Sequence, residues 1–565
     1  MERKAHSTED ERTGGPSRMQ DDLVHCSVDF LESFERRPAA RSENTIGSTN
    51  GLIKSKPRVG IIGAGLAGLR CSEVLVSRGI DTTILEARDR IGGRVHQEDL
   101  VGRLVDMGPS WVHGANDNPI IGRAKEANTT VCSLDDSSLV YDYTGSALPD
   151  DLMIEALDDT WDLISAAFKY SNEKCEDIAP ELSLKDFFEE TLEKQGIPPE
   201  KRDTIMQIGE IWGSFIGDPW ETQSLKWFWL EECLSGDNMF IADTHGRIIQ
   251  AMAKNLFGRA TLYLSTTVVR VESKKKQNGD PMVLVRTREG DFEFDEVVVT
   301  IPLGCLKSNT IVFDPALTPA ITQAIENSSY SSLEKVFITF PTAFWEVPSP
   351  QTQRDEDKQP ASVPTTPSFV HFLQPAYSAE KNGSWTVEAV PLSSSADFGG
   401  LAQPTLLFSI HGPCAAHVTS LLEGLSPNTS EYLSAIVGFF RPYYSLLPNY
   451  SPTDLDCQPS AALCSNWRND ELAGNGSYTN FKTSQNPING GPEVLLDQDI
   501  LAMRAGMPDR GIWLAGEHTA PFVAVGTSTG AYWSGEAVGV RILGAHGLFD
   551  DRIKSDMIDL GCKAS

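Results

Sequence analysis

A mixed α/β fold is what this sequence predicts, on three observations. The stretch RVGIIGAGLAGL from Arg58 runs four apolar residues into a glycine turn and then into helical residues, and a second apolar run, Thr82 to Leu85, follows it. β-Branched runs cluster between Thr266 and Gly304. Helix-periodic stretches, such as the one holding Ile248, Ile249, Met252 and Leu256, lie between and after them. At 565 residues the chain exceeds one core, and on ~100–200 residues per domain it should hold two or three.

Taken in order, residues 1–56 are polar, charged and poor in aromatics, and are expected to form a disordered leader. They hold no apolar core of a secretory signal, and no run of about 18 apolar residues occurs in the chain, so neither secretion nor membrane spanning is expected. The default location is cytoplasmic. Structure is expected to start at Pro57. A segment near 346–366, rich in Pro, Ser, Thr and Gln, reads as a flexible surface insertion, because it has too little apolar surface to offset its ordering entropy. Residues 546–565 are taken as a C-terminal tail.

Charge is lopsided. The 78 acidic against 48 basic side chains leave a formal net charge of −30, which argues against a nucleic-acid surface and fits either cationic small-molecule partners or plain solubility. The ten cysteines are scattered singly, as at Cys71, Cys175, Cys305 and Cys562, without the paired spacing of a metal site, and read as reduced thiols.

The glycine turn is the most informative local feature. Gly63, Gly65 and Gly68 form G-x-G-x-x-G between the strand from Val59 to Ile62 and a helix from Leu66 to Ser77. In that setting Gly63 makes the tight turn, Gly65 lets backbone approach a pyrophosphate, and Gly68 permits close helix–strand packing. The helix N-terminus adds unpaired N–H groups. Glu86 follows Gly68 by 18 residues, where a carboxylate accepts hydrogen bonds from ribose hydroxyls. The bland alternative is a glycine turn with no ligand.

The residues after Glu86, EARDRIGGR, resemble the flavin amine oxidase family, in which the GGR segment lies along FAD. The resemblance implies that Glu86 holds the adenosine ribose of FAD and that Arg88, Gly93 and Arg94 line it. Near the other end, GIWLAGEHTAPFVAVGTSTGAYWSGEA matches the family's closing AGE motif, so Glu517 is carried over as the ribityl contact. Amides around Thr527, Ser528 and Thr529 would face the flavin's pyrimidine edge. Val268 matches the position whose backbone meets the adenine. Similarity runs roughly from Pro57 to Leu543.

The same resemblance assigns the candidate chemistry. Lys335, in SSLEKVFITF, stands where family members place a lysine joined through a water to flavin N5. The competing reading is a strand lysine that snorkels or pairs with Glu334. Trp467 and Tyr478, in NWRNDELAGNGSYTNF, match a tryptophan that packs on the flavin and one wall of an aromatic cage at its reactive face, where cation–π attraction favours amines. Both could instead be core aromatics. One extra residue between them departs from the pattern and puts the placement of Trp467 in doubt.

Other departures inform the subclass. Ser477 stands where monoamine oxidases carry the cysteine that bonds the flavin, so FAD is expected to be non-covalent. Thr527 stands where they have a second cage tyrosine; spermine oxidases and lysine-specific histone demethylases have threonine there. His113, in GPSWVHG, matches a histidine of vertebrate-type polyamine oxidases and would accept a hydrogen bond from a substrate nitrogen, unless it is a structural histidine.

The family's architecture implies two interleaved domains. A Rossmann-like FAD-binding domain would be built from 57–120, 245–310 and 480–545, and a substrate-binding domain from 121–244 and 311–479. The implied reaction is oxidation of a polyamine such as spermine, spermidine or an acetylated form. Hydride passes to flavin N5, water hydrolyses the imine to an aldehyde and a shorter amine, and O2 reoxidises the flavin to give H2O2. No metal is needed. Three rivals are weighed. A histone-lysine demethylase would need a long helical hairpin and a larger leader than is seen, an L-amino acid oxidase would need a basic carboxylate clamp that is not found, and a non-catalytic flavin protein would not need Lys335, His113 and Tyr478. Oligomeric state is not legible.

Overall fold

Val59–Ile62 is buried along its whole length, and a strand of that kind is stable only between two neighbours. It lies at the centre of a five-stranded parallel sheet in the order Ile512–Leu514, Glu296–Val299, Val59–Ile62, Thr82–Leu85, Thr261–Tyr263. The computed structural model describes residues 56–346, 366–378, 385–484 and 494–548. Almost all of the expected leader, the core of the insertion near 346–366 and most of the tail fall outside the described residues. The described residues belong to one compact unit, Ser48–Leu548.

The helix Leu66–Ser77 returns from the first strand and packs against the last helix, Ser528–Ala545. Small residues allow this approach: a Cβ on Gly535 would lie 2.1 Å from the Ala67 carbonyl oxygen. The helix Gly246–Leu256 buries Ile248, Ile249, Met252 and Leu256 in the same core.

The β-branched cluster divides between two sheets. Val268–Lys275 and Pro281–Thr287 form a hairpin across Asn278-Gly279-Asp280, joined by Asp291–Phe294 and Val312–Asp314. After Asp291–Phe294 the chain leaves that sheet at Asp295, and Glu296–Val299 joins the parallel one. The sequence reads these residues as one patch, because apolar alternation records burial but not which strand is the neighbour.

A six-stranded sheet carries the order Ala461–Cys464, Leu333–Thr339, Thr405–His411, Val387–Pro391, Phe369–Phe372, Ser138–Tyr141. One face packs on the helix Ser430–Tyr444 through Val336, Ile338, Phe408 and Phe440. The opposite face carries Lys335 and Phe337. Helices Asp150–Lys174, Leu184–Lys194 and Pro199–Gly209 enclose a further core around Phe188, Trp220 and Phe228. Among the described residues no helix is long and apolar enough to cross a membrane, no group of side chains is arranged for a metal ion, and none of the eight described cysteines is in a disulfide.

Candidate active site

Two glycine turns meet at the end of the parallel sheet. Gly63 adopts φ +109°, open to glycine but strained for other residues, and a Cβ on Gly68 would lie 2.1 Å from the Gly63 carbonyl oxygen. Gly65 differs: a Cβ there would find its nearest neighbour, the Gly92 carbonyl oxygen, 4.0 Å away. This leaves room in front of the N-terminus of helix Leu66–Ser77. The second turn closes over it, with Gly92 N–H donating to the Ala64 carbonyl at 2.8 Å and a Gly93 Cβ position 3.5 Å from Gly65 Cα. An open cradle of backbone donors beside a helix N-terminus fits the phosphates of a dinucleotide.

Glu86 is 6% exposed. Its Oε2 accepts from Ala64 N–H at 2.7 Å and its Oε1 from Arg88 N–H at 2.9 Å, so both oxygens are oriented and keep lone pairs for hydroxyl donors. Arg88 Nη2 donates to both oxygens of Asp470 at 2.9 and 2.8 Å. Val268, buried, opens its strand at a register shift between Val268 and Arg270.

Arg94 joins three segments that are remote in sequence. Its Nη1 donates to the Ser477 carbonyl at 2.6 Å, Glu517 Oε1 at 3.0 Å and the Tyr330 hydroxyl at 3.2 Å. Burial opposes its charge, but Tyr330 and Glu517 beside it hold its pKa above the ordinary value. Glu517 Oε2 also accepts from Thr479 N–H at 3.3 Å. Next to it, both ring nitrogens of His518, 1% exposed, lack a hydrogen-bond partner among the described residues, as does Thr479 Oγ1. Burial pushes the His518 pKa down to about 4. Such buried, unpaired polar atoms need a partner, and a bound polar cofactor supplies one. Thr527 caps the last helix: its hydroxyl accepts from Gly530 N–H at 3.0 Å, and Ser528 is the first helical residue.

Lys335 is 8% exposed and does not snorkel. Its Nζ donates to the carbonyls of Asp106, at 3.2 Å, and Gly108 and to Ser110 Oγ. Nor does it pair with Glu334, whose oxygens accept from Ser465 Oγ and from Arg468 N–H on the other face. Burial lowers the Lys335 pKa to about 8, with Asp106 opposing the shift. Trp467 is 7% exposed in the apolar cluster with Phe337 and Met107, and its indole N–H donates to the Met107 carbonyl at 2.9 Å.

The loop that holds Lys335 continues to His113. His113 Nδ1 lies 3.3 Å from Asn238 Oδ1, which also accepts from Gly114 N–H at 3.2 Å. Two converging donors place the proton of a neutral ring on Nδ1 and leave Nε2 as an acceptor. Burial lowers the His113 pKa and favours that neutral form.

The Tyr478 hydroxyl donates to the Phe215 carbonyl at 2.7 Å. Its pKa is raised well above the usual value by burial, and then by the charges of Glu231, Asp218 and Glu517. The Gly526 Cβ position lies 3.7 Å from Tyr478 Cδ2, which brings the segment carrying Thr527 to that ring. Burial lifts the Glu231 pKa to about 8, and its Oε1 has no hydrogen-bond partner among the described residues.

Residues 66–543 match the family described as flavin containing amine oxidoreductase. The chain belongs to this family. The family implies a flavin cofactor. Among its relatives is the Arabidopsis thaliana protein named "Probable polyamine oxidase 4", 31% identical over 305 residues, which are 51% of this chain and 59% of that protein. Another is Lysine-specific histone demethylase 1 homolog 1 of Arabidopsis thaliana, 26% identical over 523 residues, 86% of this chain and 52% of that protein. The chain thus spans little more than half of these relatives. The fold is similar to that of cyclohexylamine oxidase from Brevibacterium oxydans IH-35A, with a TM-score of 0.60, 17% identity and coverage of 87% and 100% of the two chains.

In this member of the family several site residues were not singled out from the sequence. Asp106 and Ser110 hold Lys335 from 229 and 225 positions away, so no local pattern marks them. Asn118 was more accessible, because Asn-Pro is a helix-start signal. It caps Pro119–Glu126, and its side chain bonds the carbonyls of His113 and Gly114 and the Thr529 hydroxyl. This ties the His113 loop to the first turn of the last helix. Asn238 and Glu231 carried no motif at all.

Proposed function

We propose that this protein is an FAD-dependent amine oxidase whose substrates are polyamines, spermine, spermidine or their acetylated forms. The observation that carries the reading is the carboxyl of Glu231, with Asp218, placed against Tyr478. A substrate with several amino groups meets both an aromatic face and the unpartnered Oε1 of Glu231 there, an acceptor that gains negative charge as pH passes about 8, whereas an amine with one nitrogen uses only the first; Asp218 is already paired with Lys482 at 2.9 Å. The names of polyamine relatives agree with it.

FAD would be held non-covalently by Gly63, Gly65, Gly68, Gly93, Glu86, Arg88, Arg94, Val268, Glu517, Thr527 and Ser528, with Trp467 packed beside it. The Ser477 hydroxyl is engaged with the Leu333 backbone, accepting at 2.9 Å and donating at 2.7 Å, and offers no thiol for a covalent link. The flavin, when bound, takes two electrons from the carbon next to nitrogen and passes them to O2. The chain does the rest. His113 Nε2 accepts a hydrogen bond from a substrate N–H and so orients the amine. Tyr478 walls the cage, and Lys335, whose three N–H groups are taken by Asp106, Gly108 and Ser110, can hold a water through its lone pair once it is the neutral amine. The flavin-binding part is taken as 57–120, 245–310 and 480–545, and the substrate-binding part as 121–244 and 311–479.

The test is an absorbance spectrum of the purified protein followed by anaerobic addition of spermine, N-acetylspermine, benzylamine and L-leucine separately. Bleaching by a polyamine alone, with FAD released by acid, is the expected result; bleaching by benzylamine or leucine instead overturns it. A second reading, lysine demethylation, is favoured by the length of the demethylase match, 86% of this chain. Bleaching by a methyl-lysine peptide and not by polyamines would select it.

A further inference from the structure

The six-stranded sheet has one polar row on the face that carries Lys335. Lys335 stands opposite Ser409, Ser409 opposite Glu388, and Glu388 opposite His371. Residues paired across neighbouring strands point to the same face, so these four side chains form a line across four strands. The adjoining row on the same face is apolar: Phe337 opposite Leu407, Leu407 opposite Val390, and then Phe369, two residues before His371. Phe369 stacks on Trp111 at 6.0 Å, and Trp111 follows Ser110, which holds Lys335. The line therefore runs along the same wall as the Asp106–Gly114 loop.

Glu388 and His371 are poorly paired within the protein. Their closest approach, His371 Nδ1 to Glu388 Oε2, is 3.6 Å, too long for a hydrogen bond, and the side chains are 7% and 12% exposed for His371 and Glu388. His371 Nδ1 is buried without a hydrogen-bond partner among the described residues. Burial raises the Glu388 pKa to about 7 and lowers that of His371 to about 4, so the imidazole is neutral when the carboxyl begins to ionise. A buried carboxylate beside a neutral ring lacks a countercharge, and a cation entering from outside the chain would provide it.

We propose that Glu388, two strand spacings or ~10 Å along the sheet from Lys335, and His371, one strand further, bind a second amino group of the substrate. Glu388 accepts hydrogen bonds from the ammonium while His371 fills out its environment. The site thereby selects amines that carry a further nitrogen beyond a short alkyl chain. This rests on reading the Lys335 region as the place of amine oxidation.

The flavin-loaded protein and its Glu388→Gln variant would be titrated anaerobically with spermidine and with hexylamine, following tryptophan fluorescence for binding and flavin bleaching for reduction. Spermidine affinity is expected to fall at least ~10-fold in Glu388→Gln, as loss of a charge-assisted contact implies, with hexylamine affinity unchanged. Glu388→Asp, which keeps the charge, should retain most of the spermidine preference and guards against a folding defect. An equal loss for both amines, or no loss for either, overturns the site. If spermidine binding depends on Glu388 but no amine bleaches the flavin, the oxidase reading fails while the site stands. If bleaching by spermidine persists unchanged in Glu388→Gln, the site fails while the oxidase reading stands.

Discussion

Lys335 and His113 are held by one loop: Asp106, Gly108 and Ser110 accept from the Lys335 ammonium, and His113 follows Ser110 by three residues. The lysine therefore fixes the position of the segment that presents the imidazole. Burial lowers the Lys335 pKa to about 8, so the group is charged below that pH and neutral above it. If the neutral amine serves the reaction, the rate of flavin reduction by spermidine should rise as pH passes through about 8 and then level off. Lys335→Met should slow reduction by roughly 10²–10⁴-fold, the usual range for a proton-handling group, and should lose the inflection near pH 8. Stopped-flow absorbance across pH checks both.

The first glycine turn separates binding from folding. Gly65→Ala has open space for its methyl, so the protein should fold with a Tm close to that of the parent and lose flavin content. Gly68→Ala drives a methyl into the Gly63 carbonyl, where backbone must move, and should cost about 1–3 kcal/mol of stability as well. Thermal unfolding of the apoproteins, with flavin absorbance per protein, distinguishes the two. Equal destabilisation would mean that Gly65 also packs.

The unequal legibility of the molecule follows from the range of its interactions. The first strand, first helix and second strand fall at the bounds expected from sequence, Val59–Ile62, Leu66–Ser77 and Thr82–Leu85, because turn glycines and apolar runs are local signals. The break at Asp295 was hidden. Its carboxylate accepts from Arg58 N–H at 2.7 Å, a contact 237 residues long that ends one sheet and admits the next strand to another. Lys335 could be located as a strand residue, but its three acceptors lie more than 200 positions away. Glu388 and His371 emerge only from strand register, which a single sequence does not specify without a turn between the strands. Motifs thus marked the glycine turns at one end of the candidate site, and strand pairing the polar row at the other.

Arg94 is the structural joint between the two ends. Its removal leaves Glu517, 5% exposed at its side chain, without a cation, and frees the Ser477 carbonyl and Tyr330 hydroxyl. Arg94→Met should therefore destabilise by about 3–5 kcal/mol, the range for breaking a buried pair by one partner. Glu517→Gln keeps an acceptor for Arg94 and should cost less. Urea unfolding of both variants and of Arg94→Met/Glu517→Gln would show the coupling as a double-variant cost smaller than the sum of the single ones.

Asn238 offers a test of the role given to His113. Its Oδ1 accepts from both His113 Nδ1 and Gly114 N–H, which leaves Nε2 free to accept from substrate. Asn238→Asp preserves both acceptances but places a negative charge beside the ring. The His113 pKa, now lowered by burial, should then rise, because the carboxylate favours the imidazolium. A protonated ring has no acceptor at Nε2, so kcat/KM for spermidine should begin to fall at a higher pH as the solution is acidified. At alkaline pH the variant should approach the parent, since the ring is neutral in both. A pH profile that stays superimposable on the parent at every pH would remove His113 from substrate recognition and leave it as a brace for the loop.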